Sequence, residues 1–445
     1  MIRLFLAIAL LLALAAGAVW LADNPGQVSI AFEGYTVETS AAVLMLLAAL
    51  LIVATVAVTR IWRWVRKGYW EHRTLAKHRR GYNELAWGLS ALLESDGARA
   101  SRHAKRFEKL VGSTPLADVL AGQAALAQGD MKTARARFGA LEGDSRTQAL
   151  ALRGLLAVEA QEGDTQAVLG TARKAAARLP KAEWAQSGLF ESALALGDWK
   201  AADSALQAAI KSKRIGETQG AHQSAVLHYC QAREASDKDQ AIHLARDALK
   251  LDPDLIPARA LLANRLIDIG KKRKARSLLK EGWRKNPHPD LAKAWMRLTI
   301  DHAKALRYKH LQGLTEGSDH PETHAALGPL ALDADLPGPA RTHIEALVET
   351  APQHRAYKLL ATLENSLGNT AAATVAERNA ADASPDPSWH CDICGHDHGD
   401  WAPLCDGCGA FATLHWGAPI GMLKPPEQPP NLLKAEATPL LASGS

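Results

Sequence analysis

The sequence predicts an all-α chain: a solenoid of helix–turn–helix repeats, preceded by two transmembrane helices and followed by a small four-cysteine metal knuckle. Three observations lead there. Two uncharged apolar runs open the chain, turn markers recur at about 34-residue intervals through its middle, and four of the five cysteines crowd into residues 391–408 as two C-x-x-C pairs. The composition agrees: 445 residues leave room for two or three domains, and an Ala- and Leu-rich chain with 5% aromatics and 22% charged residues favours helix.

Residues 4–22 (LFLAIALLLALAAGAVWLA) hold no charge over 19 positions, and residues 40–59 (SAAVLMLLAALLIVATVAVT) none over 20. Each is long enough to cross a ~30 Å hydrocarbon core as a helix. A cleaved signal peptide is the competing reading of the first run. Its n-region would be Arg3 alone and its apolar stretch exceeds a usual h-region, so a membrane helix is preferred. The second run lacks any polar face that a buried soluble helix would show.

The flanks set an orientation. The polar loop between the runs, residues 23–39, carries Asp23, Glu33 and Glu38 and no Lys or Arg. Residues 60–80 carry eight Lys or Arg against Glu71, with Trp62, Trp64, Tyr69 and Trp70 interleaved at headgroup depth. Positive-inside bias therefore expects both termini in the cytoplasm. This collar holds a net +7, so the rest of a chain with net charge +5 is −2. The basic balance thus belongs to a membrane surface, and no nucleic-acid partner is expected.

Gly129-Asp130, Gly163-Asp164 and Gly197-Asp198 are spaced by 34, and Ser95 lies 34 before the first. Further breaks fall at Asp237, Gly270, Asp301, Asp335 and Gly368. Five residues after each marker stands a compact residue: Ala100, Ala134, Val168, Ala202, Ile242, Ala275, Leu306, Ala340 and Ala373. Seven before, where two helices would cross, stand Gly88, Gly122, Cys230, Ala263, Ala294, Gly328 and Ala361, with Leu156 and Phe190 as misfits. Helix-ending Pro180, Pro287, Pro352 and Pro385 fall seventeen after. This pattern resembles the tetratricopeptide family from about residue 80 to 386, the third, fourth and seventh units being the most degenerate. About nine hairpins would stack into a protein-binding wall. Of the family's Lys/Asn peptide-carboxylate clamp, only Asn264 falls on a groove position. Cys230 sits in the small-residue slot and reads as packing rather than as a nucleophile. The seventeen histidines are scattered and read as ordinary residues.

Cys391, Cys394, Cys405 and Cys408 form two C-x-x-C-G units. Each such turn aims two sulfurs at one point, and the following Gly395 or Gly409 lets the backbone curl so that its amides face them. Four converging thiolates make a closed tetrahedral site for Zn²⁺ or iron, zinc being preferred as a structural ion. A redox dithiol would need only one pair. His390, His396 and His398 stay outside the ligand set, and no open position is left for metal-bound water. Neither pair continues as C-x-x-C-H, which removes covalent haem attachment. So short a module needs the ion to fold, with Trp389, Trp401, Phe411 and Trp416 expected to pack around it. The knuckle is expected on or near the last repeat, where it would extend the recognition surface.

The full order, ending in W-x-C-x-x-C-G … W-x-P-x-C-x-x-C-G-x-F-x-T-L-x-W, resembles the HemY family of proteobacterial inner-membrane proteins, in the longer form with a rubredoxin-like end. The paired spans, the loop ending GYTVET and the basic collar carry the N-terminal part of that resemblance. It implies a multi-pass inner-membrane scaffold for late haem or porphyrin biosynthesis, not an enzyme; no G-x-G-x-x-G follows a strand. The chain is also similar to the lipopolysaccharide-assembly regulator LapB, which has one span, and which would imply an adaptor acting through a membrane protease. The expected domains are 1–60 (membrane helices), 61–80 (collar), 81–386 (repeats), 387–417 (knuckle) and 418–445 (disordered tail).

Overall fold

A computed structural model describes residues 26–32 and 35–419, with isolated positions between 12 and 23; side chains of 30–37 and 65–74 are not included. Most of the first apolar run and the tail beyond 419 therefore lie outside the described residues. Among the described residues, 73% are helical.

Where the sequence reading had a polar loop, strands β1 (Gln27–Phe32) and β2 (Tyr35–Ser40) pair antiparallel, Phe32 opposite Tyr35. The signal was present. Polar and apolar residues alternate through QVSIAF and YTVETS, and the two residues written between them, Glu-Gly, are the spacing of a short hairpin in the sequence.

Helix α1 (Ala41–Leu93) then runs 53 residues without a break, about 80 Å at 1.5 Å per residue. Its first part, Ala41–Trp64, is long and apolar enough to cross a membrane, and none of its most apolar stretch is buried within the chain. The basic collar is thus the middle of one helix, since no proline interrupts it.

The chain divides into two compact units, residues 1–91 with 99–117, and residues 92–98 with 118–445. In the first, the end of α1 lies against α2 (Gly97–Val111). Gly81 approaches so closely that a Cβ there would stand 2.3 Å from Val111, and His103 meets the Glu84 carboxylate at 2.7 Å.

Eight more hairpins follow. They are α3 (Pro115–Ala127) with α4 (Met131–Ala140), α5 (Gln148–Glu162) with α6 (Thr165–Arg178), α7 (Glu183–Ala195) with α8 (Trp199–Lys211), and α9 (Glu217–Glu234) with α10 (Lys238–Leu251). Then come α11 (Ile256–Asp268) with α12 (Lys272–Lys285), α13 (Pro289–Met296) with α14 (Lys304–Thr315), α15 (Pro321–Asp333) with α16 (Pro337–Thr350), and α17 (His354–Ser366) with α18 (Thr370–Asp382).

Every marker read from the sequence lies between the two helices of a hairpin. Ser95, Gly129, Gly163, Gly197, Gly270, Asp335 and Gly368 take positive φ, which ends the first helix. The carboxylates of Asp130, Asp164, Asp198 and Asp237 then accept from the backbone amides of Thr133, Ala167, Ala201 and Gln240 at 2.9–3.1 Å, capping the second helix. Pro180, Pro287, Pro352 and Pro385 stand just past the ends of α6, α12, α16 and α18.

Close crossing explains the compact positions. Ala100, Ala134, Ala202, Ala275 and Ala340 are fully buried. A Cβ on Gly122 would fall 2.9 Å from the Phe138 ring, and one on Gly328 2.9 Å from Ile344. Gly154 is tighter still, 2.3 Å from the same phenylalanine, so Phe138 wedges between α3 and α5. Hairpin seven departs most: α13 spans eight residues, ends in a 3₁₀ turn, and leaves Leu306 43% exposed.

Replacing Ala275 with leucine is expected to cost about 1–3 kcal/mol through overpacking. Thermal unfolding followed by circular dichroism measures it, with Leu306→Ala, at an exposed site, shifting the midpoint far less.

Candidate metal centre

After α18 the chain turns back along the repeats. The His354 amide donates to the Ser384 carbonyl at 2.9 Å and the Arg355 amide to the Asp386 carboxylate at 2.7 Å. Three short strands follow, β3 (Ser388–Cys391), β4 (Asp397–His398) and β5 (Leu414–Gly417), in an antiparallel sheet ordered β4-β3-β5.

Two knuckles of the same design hang from this sheet. In one, the Gly395 amide donates to the Cys391 carbonyl (2.8 Å) and the Cys391 amide to the His396 carbonyl (3.0 Å). In the other, Gly409 donates to Cys405 (2.7 Å) and Cys405 to Ala410 (2.9 Å). Gly395 and Gly409 sit at φ 69° and 72°, the left-handed turn that the C-x-x-C-G spacing calls for.

The knuckles bring the four predicted cysteines together. Their sulfurs all lie within 4.8 Å of one another, with Cys394–Cys405 at 3.6 Å and Cys391–Cys408 at 3.8 Å. A tetrahedral ion with ~2.3 Å metal–sulfur bonds spaces its sulfurs about 3.8 Å apart, whereas a disulfide needs ~2.05 Å. The donor set fits a metal ion.

The electrostatics point the same way. Burial and the neighbouring thiols push Cys408 up to about 12 and raise Cys405. Burial also opposes ionisation of Cys391, but the Thr413 hydroxyl at 3.2 Å and the amides of Cys394 and Ile393 outweigh it and bring that thiol to about 7. Four thiolates this close repel one another unless a cation sits between them.

The Gly407 amide donates to Cys405 Sγ at 3.3 Å, an amide facing a sulfur within the turn. One contact was not anticipated: the His398 imidazole, left out of the sequence reading, places Nε2 3.4 Å from the same sulfur. Cys230 stays away from this cluster. It is fully buried between helices, and burial drives its thiol up to about 12, as its packing slot implies.

The position of the knuckle corrects the expectation that it packs on or near the last repeat. It lies against the first helices of hairpins four, five and seven. Phe411 meets Phe190 of α7 edge-on at 5.7 Å, Trp401 meets Tyr229 of α9 at 4.9 Å, and His415 stacks on His222 of α9 at 6.4 Å. His288, at the start of α13, is fully buried between Trp389 (5.0 Å) and Trp416 (4.5 Å). Burial holds that imidazole down to about 4, so it is neutral there.

The aromatic side chains expected to surround the ion therefore face outward onto the repeats. Their hydrophobic cover is supplied by the wall. Phe190, a misfit in the repeat pattern, is half-buried under Phe411. Its departure from a small residue had marked the docking position.

Residues 26–129 match the family described as HemY protein N-terminus, and residues 232–296 match the tetratricopeptide repeat. The chain thus resembles the HemY family over its N-terminal part and the tetratricopeptide repeat in its middle. The probable magnetosome protein Mms48 of Magnetospirillum gryphiswaldense is 30% identical to it over 232 residues, 51% of this chain and 52% of that protein. The chain thus spans about half the length of this curated relative. Solved structures similar to it include a tetratricopeptide repeat protein from Parabacteroides merdae (13% identity, TM-score 0.30, 57% of this chain and 99% of that one). The TPR2AB domain of yeast Sti1 in its pHSP90 complex is another (12%, TM-score 0.30, 68% and 99%).

Cys394→Ser is expected to lower bound metal from about one ion per chain to none and to open residues 389–416 to proteolysis while the helical signal persists. Trp401→Ala with Phe411→Ala should instead keep the ion but loosen the knuckle from the repeats, read as faster proteolysis of the linker 383–388. Equal metal loss in both variants would mean that the wall, not the ion, organises the thiols.

Proposed function

We propose that this HemY-like protein is a membrane-anchored scaffold that gathers enzymes of late haem or porphyrin biosynthesis at the cytoplasmic face of a bacterial inner membrane. It works by binding and not by catalysis. The observation that carries the reading is the junction in α1: an apolar segment able to cross a membrane continues without a break into the first hairpin of a HemY-type N-terminus. Whatever the repeats hold is thereby tethered to the bilayer. The resemblance to HemY supplies the class of client.

In this reading residues 4–22 form a second span, residues 23–39 lie outside, and everything after the collar is cytoplasmic, where reducing conditions keep the thiols free. Domains run 1–60, 61–80, 81–386, 387–417 and 418–445. Cys391, Cys394, Cys405 and Cys408 hold one ion, zinc in preference to iron, because four thiolates close the coordination shell and the ion's task is to fold the knuckle.

A periplasm-active reporter fused after residue 90 should stay silent; strong activity would overturn the topology. Crosslinking in native membranes tests the function. Recovery of tetrapyrrole enzymes supports it, whereas a membrane protease with lipopolysaccharide enzymes would favour the LapB-like adaptor. Metal analysis with a visible spectrum separates colourless zinc from iron.

A further inference from the structure

The knuckle covers one part of the wall of first helices and leaves the next part open. Beyond it, α13, α15 and α17 line a groove of about 980 Å³. Met296, Ile300, Leu311, Leu330 and Leu359 supply its apolar surface, and Ile300 is 68% exposed. An apolar patch this open on a polar chain marks a place where something docks.

The charges in the groove are unequal. Its lining includes Lys293, Arg297, Arg307, Arg355 and Lys358 against Glu322 and Asp386. Both acids are already engaged: Glu322 is buried in a bidentate pair with Arg355, and Asp386 accepts from the Arg355 amide at 2.7 Å. Lys293 and Arg297 have carboxylate partners in Asp290 (3.0 Å) and Asp268 (2.8 Å). Arg307 and Lys358 have no carboxylate partner among the described residues, and the buried Arg307 Nε lacks any hydrogen-bond acceptor. The groove thus offers apolar contacts and two uncommitted cations.

We propose that the groove formed by hairpins seven to nine is the docking site for an acidic, leucine-type segment of a partner protein, its apolar side chains on Ile300, Leu330 and Leu359 and its carboxylates on Arg307 and Lys358. The same wall already seats one chain segment by its apolar side chains, the knuckle, so the open stretch presents a surface of the same construction. The cations select the charge of the incoming segment. This deepens the scaffold reading and rests on it.

The test uses the full chain in detergent and a short labelled peptide of leucine and glutamate, followed by fluorescence anisotropy. Its counterpart with lysine in place of glutamate is the control. The glutamate peptide should bind saturably and the lysine peptide should not. Arg307→Glu with Lys358→Glu should weaken the glutamate peptide about tenfold or more and admit the lysine peptide. The exposed Lys358→Glu alone, with helical signal and metal content checked, covers the case in which the double variant misfolds. Equal binding of both peptides, no binding of either, or affinity unchanged by charge reversal would overturn the proposal. Membrane crosslinks that survive the reversal while no peptide binds would leave the scaffold reading standing and remove this groove from it.

Discussion

The structure depends on how closely the two helices of each hairpin can cross. A hairpin of this size cannot bury its apolar face alone, so it is stable only when its neighbours complete the core. Gly122 and Gly328 have no space for a Cβ, and Ala134, Ala202, Ala275 and Ala340 are fully buried at the companion positions. These small residues let backbones approach, and larger side chains such as Phe138 and Ile344 fill the remaining volume. The product is a wall of first helices continuous enough to receive other elements.

The knuckle is the element this wall receives. Its own apolar complement is small, and its sulfurs are mutually repulsive without an ion. Metal binding and docking would therefore solve two separate problems. An ion held there would neutralise and order the thiolates, while Phe190, Tyr229 and His288 cover the aromatic rings that the knuckle is too short to bury for itself. His288 serves because burial keeps it neutral; a protonated ring between Trp389 and Trp416 would lose the water that stabilises its charge. Each edge-to-face aromatic contact contributes about 0.5–1.5 kcal/mol beyond the area it buries, so the seat is a sum of modest contacts.

Docking also divides the wall. The first helices of hairpins four, five and seven receive the knuckle, and the groove of hairpins seven to nine remains accessible. Asn264, the one clamp-like residue, stands on α11 between docking helices α9 and α13, with its amide oxygen buried and unpartnered. A wall partly filled by the chain's own knuckle leaves a shorter open surface than its repeat number implies.

The repeat spacing, the left-handed turns at Gly129, Gly163 and Gly197, the aspartate caps, the proline stops and the convergence of four cysteines were all legible in the sequence. Each is set by a few neighbouring residues: a φ that glycine tolerates, a carboxylate beside a free amide, two thiols on one turn. The hairpin at residues 27–40 was legible too, though its place between two apolar runs drew the reading toward a polar loop. Where the knuckle sits was not legible. That position pairs Phe411 with Phe190 and Trp416 with His288, residues far apart in the chain whose contact obeys no period and leaves at most a misfit in the repeat. The sequence by itself determined the local units and the four cysteines it brings within reach of one another. Only the tertiary structure decided which face of the stack they cover and which groove stays open, because that choice rests on long-range packing between surfaces formed only after the repeats have stacked.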